Sequence, residues 1–328
     1  MFLLWLLAFL LFVQTNNKGE VRYLMEQSVL CIDGLIKRYG KSNTNAVDGI
    51  SFDVFAGELF CLLGVNGAGK STTINIICTL IEKTGGNITL NGLTLGKDDN
   101  AIRRSIGVVF QGNVLDNVLT AKENILSRAA FYGLGKQDAK KRLAYFAERL
   151  SMTSFLDRRY EKLSGGQRRK CDIARALLAE PKILFLDEPT TGLDPQSRIE
   201  LWETIEDIRR ESQMTVFLTT HYMEETERAD RVAIMDYGKI LCIDTPQRLK
   251  TEFSSDVLRL VVKPGCNAEI ERHLQTYDLV ADTYTVKLKN GIDAIDFLPQ
   301  VKPYLDSFEL EKGNMDSVFL NVVGRRAE

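Results

Sequence analysis

The stretch Gly64-Val65-Asn66-Gly67-Ala68-Gly69-Lys70-Ser71-Thr72 constrains this chain more than any other. It fits the spacing G-x-x-x-x-G-K-[ST]. The apolar run Leu59-Phe60-Cys61-Leu62-Leu63 before it reads as a buried strand. The segment after it, with Ile74, Ile76, Ile77 and Leu80, reads as a helix with an apolar face. Strand, glycine loop and helix in that order build a cradle for phosphate. The glycines let successive backbone N–H groups turn inward around phosphate oxygens. The helix start adds its dipole and its free N–H groups. Lys70 would reach the β- and γ-phosphates, and the Ser71 hydroxyl would hold Mg²⁺. A glycine-rich turn with a chance lysine is the alternative, and the flanking strand and helix argue against it.

A second stretch supplies acid. Ile183-Leu184-Phe185-Leu186 is a continuous apolar run, as expected for a strand buried on both faces of a mainly parallel sheet. It ends in Asp187-Glu188-Pro189, at the strand end where open α/β sheets place ligands. Asp187 suits the Mg²⁺ shell, and Glu188 could polarise an attacking water as general base. Two solvated acids at a strand end are the alternative. Leu163-Ser164-Gly165-Gly166-Gln167 leads into a helix beginning near Arg168. A Ser-Gly-Gly run there is another place where N–H groups meet an anion, though it is also a plain loop and N-cap.

The rest of the chain alternates strand, turn and helix. Ile50, Phe52 and Val54 alternate with Ser51 and Asp53, which suits a half-buried strand. Tyr39-Gly40 closes the strand before it; on spacing alone, a ring stacked on a base and a surface tyrosine are equally supported. Thr84-Gly85-Gly86 and Asn87 to Gly92 read as strand and turn, and Ile106 to Gln111 as a short strand ending on a glutamine. From about Leu119 to Leu156 the pattern is helical, with Leu143, Phe146 and Leu150 on one side. Thr191 to Pro195 is a turn, and the next helix carries Ile199, Trp202, Ile205 and Ile208 on one face. The strand Thr215 to Thr220 ends at His221, an imidazole that could donate to a γ-phosphate or be an ordinary loop histidine. His273 reads as a surface residue in a polar helix.

Composition excludes little. Of the 328 residues, 45% are hydrophobic and 26% charged, and the net charge of -2 gives no drive toward nucleic acid. The six cysteines form no C-x-x-C pair, and they read as small buried hydrophobes of a reducing cytosol. Met1 to Val13 is unbroken apolar. As a helix it would span about 20 Å, short of the roughly 30 Å hydrocarbon core, and no basic residue precedes it. Three readings stay open: an interfacial anchor, a buried flap, or a native start at Met25, which is favoured. Lys18 and Arg22 after the run would keep the downstream chain cytoplasmic.

Taken together, Tyr39, the loop Gly64 to Thr72, Gln111, Leu163 to Gln167, Asp187 with Glu188, Asp194 and His221 resemble the ATP-binding subunit of an ABC transporter over roughly residues 28 to 250. The resemblance implies an α/β P-loop NTPase core with an antiparallel β subdomain and an inserted helical subdomain at about 112–163. It implies two subunits packed head to tail in a homodimer, sandwiching two ATPs. Tyr39 would stack on adenine; Gly64, Val65, Asn66, Gly67, Ala68, Gly69, Lys70, Ser71 and Thr72 would hold the phosphates; Ser71, Gln111 and Asp187 would attend Mg²⁺. Ser164, Gly165, Gly166 and Gln167 would reach ATP across the dimer. Glu188 would act as base, Asp194 would link the two sites and His221 would hold the γ-phosphate.

The expected division is residues 1–24, an ATPase domain at 25–250 and an accessory α+β domain at 251–328. In the last, strands Val257 to Val262, Tyr284 to Leu288 and Phe308 to Leu310 alternate with helices Ala268 to Tyr277 and Ala294 to Leu305, with a turn at Asn290-Gly291. Gly313 to Leu320 and Leu115 to Thr120 resemble daunorubicin-resistance-type ATPases, which pair with ABC-2-type permeases and usually export. Beyond the first residues no segment reaches the 18 or so apolar residues of a spanning helix, so a separate transmembrane permease is implied, with this chain peripheral at the cytoplasmic membrane face. The rival class is a soluble ABC-type ATPase of translation or DNA repair. It is disfavoured by the single phosphate loop and by the absence of a long heptad run. No nucleic acid partner is expected.

Overall fold

The computed structural model describes residues 13–15, 21–23, 28–40, 42–112, 114–288 and 291–324. The apolar run up to Phe12, Met25 and Asn290 lie outside the described residues. Val13–Thr15 pairs antiparallel with Val21–Tyr23.

The frame of the molecule is a six-stranded sheet in the order Lys239–Asp244, Arg231–Asp236, Leu59–Leu63, Thr215–Thr220, Ile183–Asp187, Ile106–Val109. Its pairings are parallel except for the Lys239–Asp244 edge. Leu59–Leu63 and Ile183–Asp187 are buried at every position, as their unbroken apolar runs require of strands covered on both faces. Register then sets the site. Thr220 pairs with Leu63 and Thr219 with Asp187, so three strands end side by side. The phosphate loop, His221 and Glu188 all leave the sheet at that common edge.

A four-stranded antiparallel sheet, in the order Val47–Phe55, Ser28–Lys37, Gly85–Leu90, Leu93–Thr94, packs beside it. Phe52 of this sheet stacks on Phe60 of the central one at 5.1 Å, and Phe60 on Phe217 at 5.6 Å, tying the two layers together. The Asn91-Gly92 turn has φ of 51° and 79°, the conformation that an Asn-Gly hairpin supplies. The helical region contains Ala121–Ala129 and Lys136–Arg149, and Leu143, Phe146 and Leu150 are buried as the pattern requires.

A third, antiparallel sheet joins Asp278–Val280, Thr283–Leu288, Asp256–Val262 and Leu305–Glu311 around its own core of Leu258, Leu260, Ile270, Tyr284 and Val301. The closing helix Met315–Gly324 does not join that core. Its Met315, Val318, Phe319 and Val322 enter the apolar cluster beneath the central sheet, together with Leu249. The α/β class, the antiparallel subdomain and the helical insertion are therefore as expected.

Several boundaries differ. The phosphate-loop helix ends at Ile77, and Leu80 lies beyond it, 56% exposed, not on its buried face. Ile199 is exposed, and Leu201 takes its place with Trp202, Ile205 and Ile208. The strand before Gln111 stops at Val109. The helix expected from Ala268 to Tyr277 is only Asn267–Glu271, so His273 is exposed just beyond it, not within it. Asp278–Val280, which the sequence pattern left unassigned, forms a strand turned at Ala281 with φ 53°. The next helix is Asp293–Val301, followed by a 3-10 turn at Lys302–Tyr304 that carries Pro303. All six cysteines are free; Cys61, Cys78 and Cys171 are buried.

Candidate active site at the carboxyl edge of the central sheet

The phosphate loop connects Leu63 to the helix Lys70–Ile77. Gly69 has φ 111°, and a Cβ there would lie 2.5 Å from the Ala46 carbonyl oxygen and 2.6 Å from Met235 Cε. Only glycine fits both the angle and the space. Lys70 is buried, and its Nζ donates to the Gly64 carbonyl at 2.7 Å and the Val65 carbonyl at 3.2 Å. Burial lowers its pKa, and the Glu188 carboxylate, 3.6 Å from Nζ, opposes that shift. Tyr39 stands exposed beside the loop, its hydroxyl 3.4 Å from Thr72 Oγ1.

Glu188 is the centre of the constellation. It is 5% exposed and has φ 47°, a strained angle for a side-chain-bearing residue and one that clusters at functional sites. Gln111 Nε2 donates to its Oε2 at 2.8 Å. His221 Nδ1 lies 3.2 Å from its Oε1, without hydrogen-bond alignment, and the imidazole packs on Tyr222 at 4.1 Å between centroids. Lysine, glutamine and histidine, from three separate elements, thus meet on one carboxylate. Next to it, Ser71 Oγ donates to Asp187 Oδ1 at 3.4 Å, and Thr219 Oγ1 donates to the same oxygen. Burial raises the Asp187 pKa, the Thr219 bond opposes this, and neighbouring Glu188 adds to it. A hydroxyl and a buried carboxylate converging here are the hard oxygen donors that Mg²⁺ takes, so the residues fit that ion.

The glycine signature lies elsewhere. The helix starts at Gly165 rather than near Arg168, because Ser164 and Gln167 cap it reciprocally: the Gln167 N–H donates to Ser164 Oγ at 3.3 Å, and the Ser164 N–H to Gln167 Oε1 at 3.1 Å. Asp194 caps the next helix, accepting from Ser197 N at 2.9 Å and Ser197 Oγ at 2.6 Å. Those bonds hold its carboxyl below the usual range. A Cβ on Gly166 would come 3.2 Å from Ser197 Oγ, so signature and Asp194 turn are close neighbours. Among the described residues, no hydrogen bond or ion pair links Ser164, Gly165, Gly166, Gln167 or Asp194 to Lys70, Ser71, Asp187, Glu188, Gln111 or His221.

Sequence reasoning passed over Arg169. Its buried guanidinium donates to the carbonyls of Phe110 (2.6 Å), Glu188 (2.7 Å) and Pro189 (2.5 Å). It fastens the approach to Gln111 and the turn carrying Glu188 to the signature helix. The available signal was an arginine four residues before Ile173 and eight before Leu177, on an otherwise apolar stripe. Arg169→Gln leaves buried carbonyls without a donor. We expect a loss on the order of 3 kcal/mol, read as an earlier urea transition, together with slower ATP turnover.

Residues 47–191 match the family profile described as ABC transporter. A linearmycin resistance ATP-binding protein of Bacillus subtilis is 36% identical over 310 residues, spanning 90% of this chain and 99% of that protein. The chain belongs to the ABC transporter ATP-binding family. A daunorubicin/doxorubicin resistance ATP-binding protein of Streptomyces peucetius is 35% identical across 90% of this ABC ATPase and 92% of its own length. Among solved structures, the dimeric, post-hydrolysis form of the cassette MJ0796, bound to ADP and Pi, superposes with a TM-score of 0.61 at 26% identity, covering 66% of this chain and 98% of that one. This ABC ATPase is therefore an ATP-hydrolysing subunit that energises a transporter, and its relatives do not favour the translation or DNA-repair reading. Among the described residues, no helix is long and apolar enough to cross a membrane.

Proposed function

We propose that this chain powers export of a drug, lipid or glycan through a separate ABC-2-type permease, working as a head-to-tail homodimer on the cytoplasmic face of the membrane. The observation that carries the reading is the meeting of Lys70, Gln111 and His221 on Glu188 beside the Ser71–Asp187 pair. The resistance names of the relatives support export.

In this reading Tyr39 stacks on the base and the loop Gly64 to Thr72 wraps the phosphates. Ser164 and Gly166 of a second subunit close over the γ-phosphate, which suits side chains and glycines that, among the described residues, bond to none of Lys70, Ser71, Asp187, Glu188, Gln111 or His221 in their own chain. Asp194 joins the two sites. Glu188 takes a proton from the attacking water as the water oxygen bonds to the γ-phosphorus and the bridging oxygen departs with ADP. Gln111 orients that carboxylate, His221 holds the γ-phosphate, and Lys70 balances charge developing on the phosphate oxygens. Ser71, Asp187 and Gln111 would hold Mg²⁺, which when bound would neutralise charge at the phosphates.

Removal of the metal tests the site. Lewis-acid stabilisation is worth several kcal/mol, so excess chelator should slow phosphate release by about a hundredfold or more, with recovery on adding Mg²⁺. Undiminished release in chelator would contradict the Ser71–Asp187 assignment.

A further inference from the structure

A second buried acid braces the turn that carries Glu188. Glu225 lies four residues after His221, in the short helix Met223–Thr226, and it is 5% exposed. Its Oε1 accepts two hydrogen bonds, one from Thr190 Oγ1 and one from Trp202 Nε1 at 3.1 Å. Oε2 is buried too, and among the described residues nothing donates to it. A buried carboxylate is costly unless its bonds are good, and glutamine or leucine would fill the space without the charge.

Thr190 is fully buried within the turn that runs from Glu188 to Asp194. The turn is tight: Thr191 N donates to the Glu188 carbonyl at 3.3 Å, and Leu193 N to the Thr190 carbonyl at 3.0 Å. Thr191 Oγ1 also donates to Glu188 Oε2 at 3.3 Å. Glu188 sits at φ 47°, an angle kept only where the surroundings enforce it. Arg169 enforces it from one side, through the Glu188 and Pro189 carbonyls. Glu225 does so from another, through the Thr190 hydroxyl. Burial lowers the Arg169 pKa, and the neighbouring acids, Asp172 first and Glu225 among them, oppose that shift, so the two charges act on each other. Trp202 lies on the helix Pro195–Ser212, which Asp194 caps. One oxygen of Glu225 therefore joins the turn of Glu188 to the helix that Asp194 begins, from the segment that follows His221.

We propose that Glu225 is a positioning residue for ATP hydrolysis: by holding Thr190 it fixes the angle at which Glu188 presents its carboxylate to the attacking water. It acts through Thr190 and takes no proton itself. This rests on Glu188 being the general base, and it adds what keeps that base aimed. A misplacement of about 1 Å at a reacting group can cost on the order of a hundredfold in rate. Among the described residues the Glu225 side chain bonds only to Thr190 and Trp202, and to nothing in the phosphate loop, so nucleotide binding does not depend on it.

Steady-state ATP hydrolysis by the full chain tests this. Glu225→Ala should lower kcat on the order of a hundredfold and leave the KM for ATP within about twofold. Glu225→Gln keeps an acceptor oxygen for Thr190, and it should turn over at least about tenfold faster than Glu225→Ala. Thr190→Val removes the other half of the same bond and should show the same split between kcat and KM, while Thr190→Ser, which keeps a hydroxyl, should recover most of the rate. The double variant Glu225→Ala with Thr190→Val should be no slower than either single one, because both delete one interaction. Where Glu225→Ala does not fold, the Thr190 pair decides. A Glu225→Gln protein as slow as Glu225→Ala, or losses that multiply in the double variant, overturns the inference. An earlier urea transition with kcat unchanged overturns it as well and leaves Glu225 a structural residue only. Glu188→Gln distinguishes the two levels: if it is slow while Glu225→Ala is normal, only the positioning role fails, and if it turns over normally, the base assignment fails and this inference falls with it.

Discussion

Glu188→Gln should cut ATP hydrolysis by about 10²- to 10⁴-fold, the usual contribution of a positioned general base. The amide keeps the shape and an acceptor oxygen, so Gln111 Nε2, now 2.8 Å from the carboxylate, can still donate. What disappears is the negative charge and the ability to take a proton. Lys70 at 3.6 Å and His221 at 3.2 Å are then no longer drawn to an anion inside the protein, which leaves them for the phosphates. Nucleotide binding should survive, and an ATP-bound dimer should accumulate on gel filtration. Phosphate release with [γ-³²P]ATP checks the first part. Turnover equal to the unsubstituted protein would remove Glu188 from the base role.

Lys70→Met should fail one step earlier. Its Nζ is buried and makes bonds to Gly64 and Val65 carbonyls within the loop itself. Hydrogen bonds to charged groups contribute about 1.5–3 kcal/mol, so losing the ammonium should weaken nucleotide binding on the order of 10- to 100-fold. It also leaves the buried Glu188 carboxylate without its nearest lysine. Hydrolysis should become undetectable. A fluorescent-nucleotide titration separates the two variants: Glu188→Gln keeps nucleotide and Lys70→Met loses it. Equal affinities in the two would mean that Lys70 serves the loop's shape and not the phosphates.

The site was legible where local chemistry and local pattern agree. The apolar strands Leu59–Leu63 and Ile183–Asp187 announce themselves by composition, and the groups at their ends are placed by sheet geometry. The Ser164–Gln167 capping box was also written in the chain, at the spacing that begins a helix, although the start was placed at Arg168. What sequence could not supply was contact between distant segments. Arg169 matters because Phe110, 59 positions away, and Pro189, 20 away, come to it. Thr219 matters because register sets it opposite Asp187. The turn at Ala281 carries no Asn-Gly or Gly signal, so the pattern did not mark the strand Asp278–Val280 before it. The return of Met315–Gly324 to the cluster beneath the central sheet is likewise a tertiary fact, since its apolar spacing would suit any core.

The central claim is that the hydrolysis serves a membrane partner. A tagged pull-down of the full chain from detergent-solubilised native membranes, with mass spectrometry of the proteins that accompany it, tests this most directly. A stoichiometric chain with about six spanning helices is the predicted result, each helix being a run of roughly 20 apolar residues. Recovery only with ribosomes, with DNA or alone would leave the ATPase chemistry intact and contradict the transport assignment.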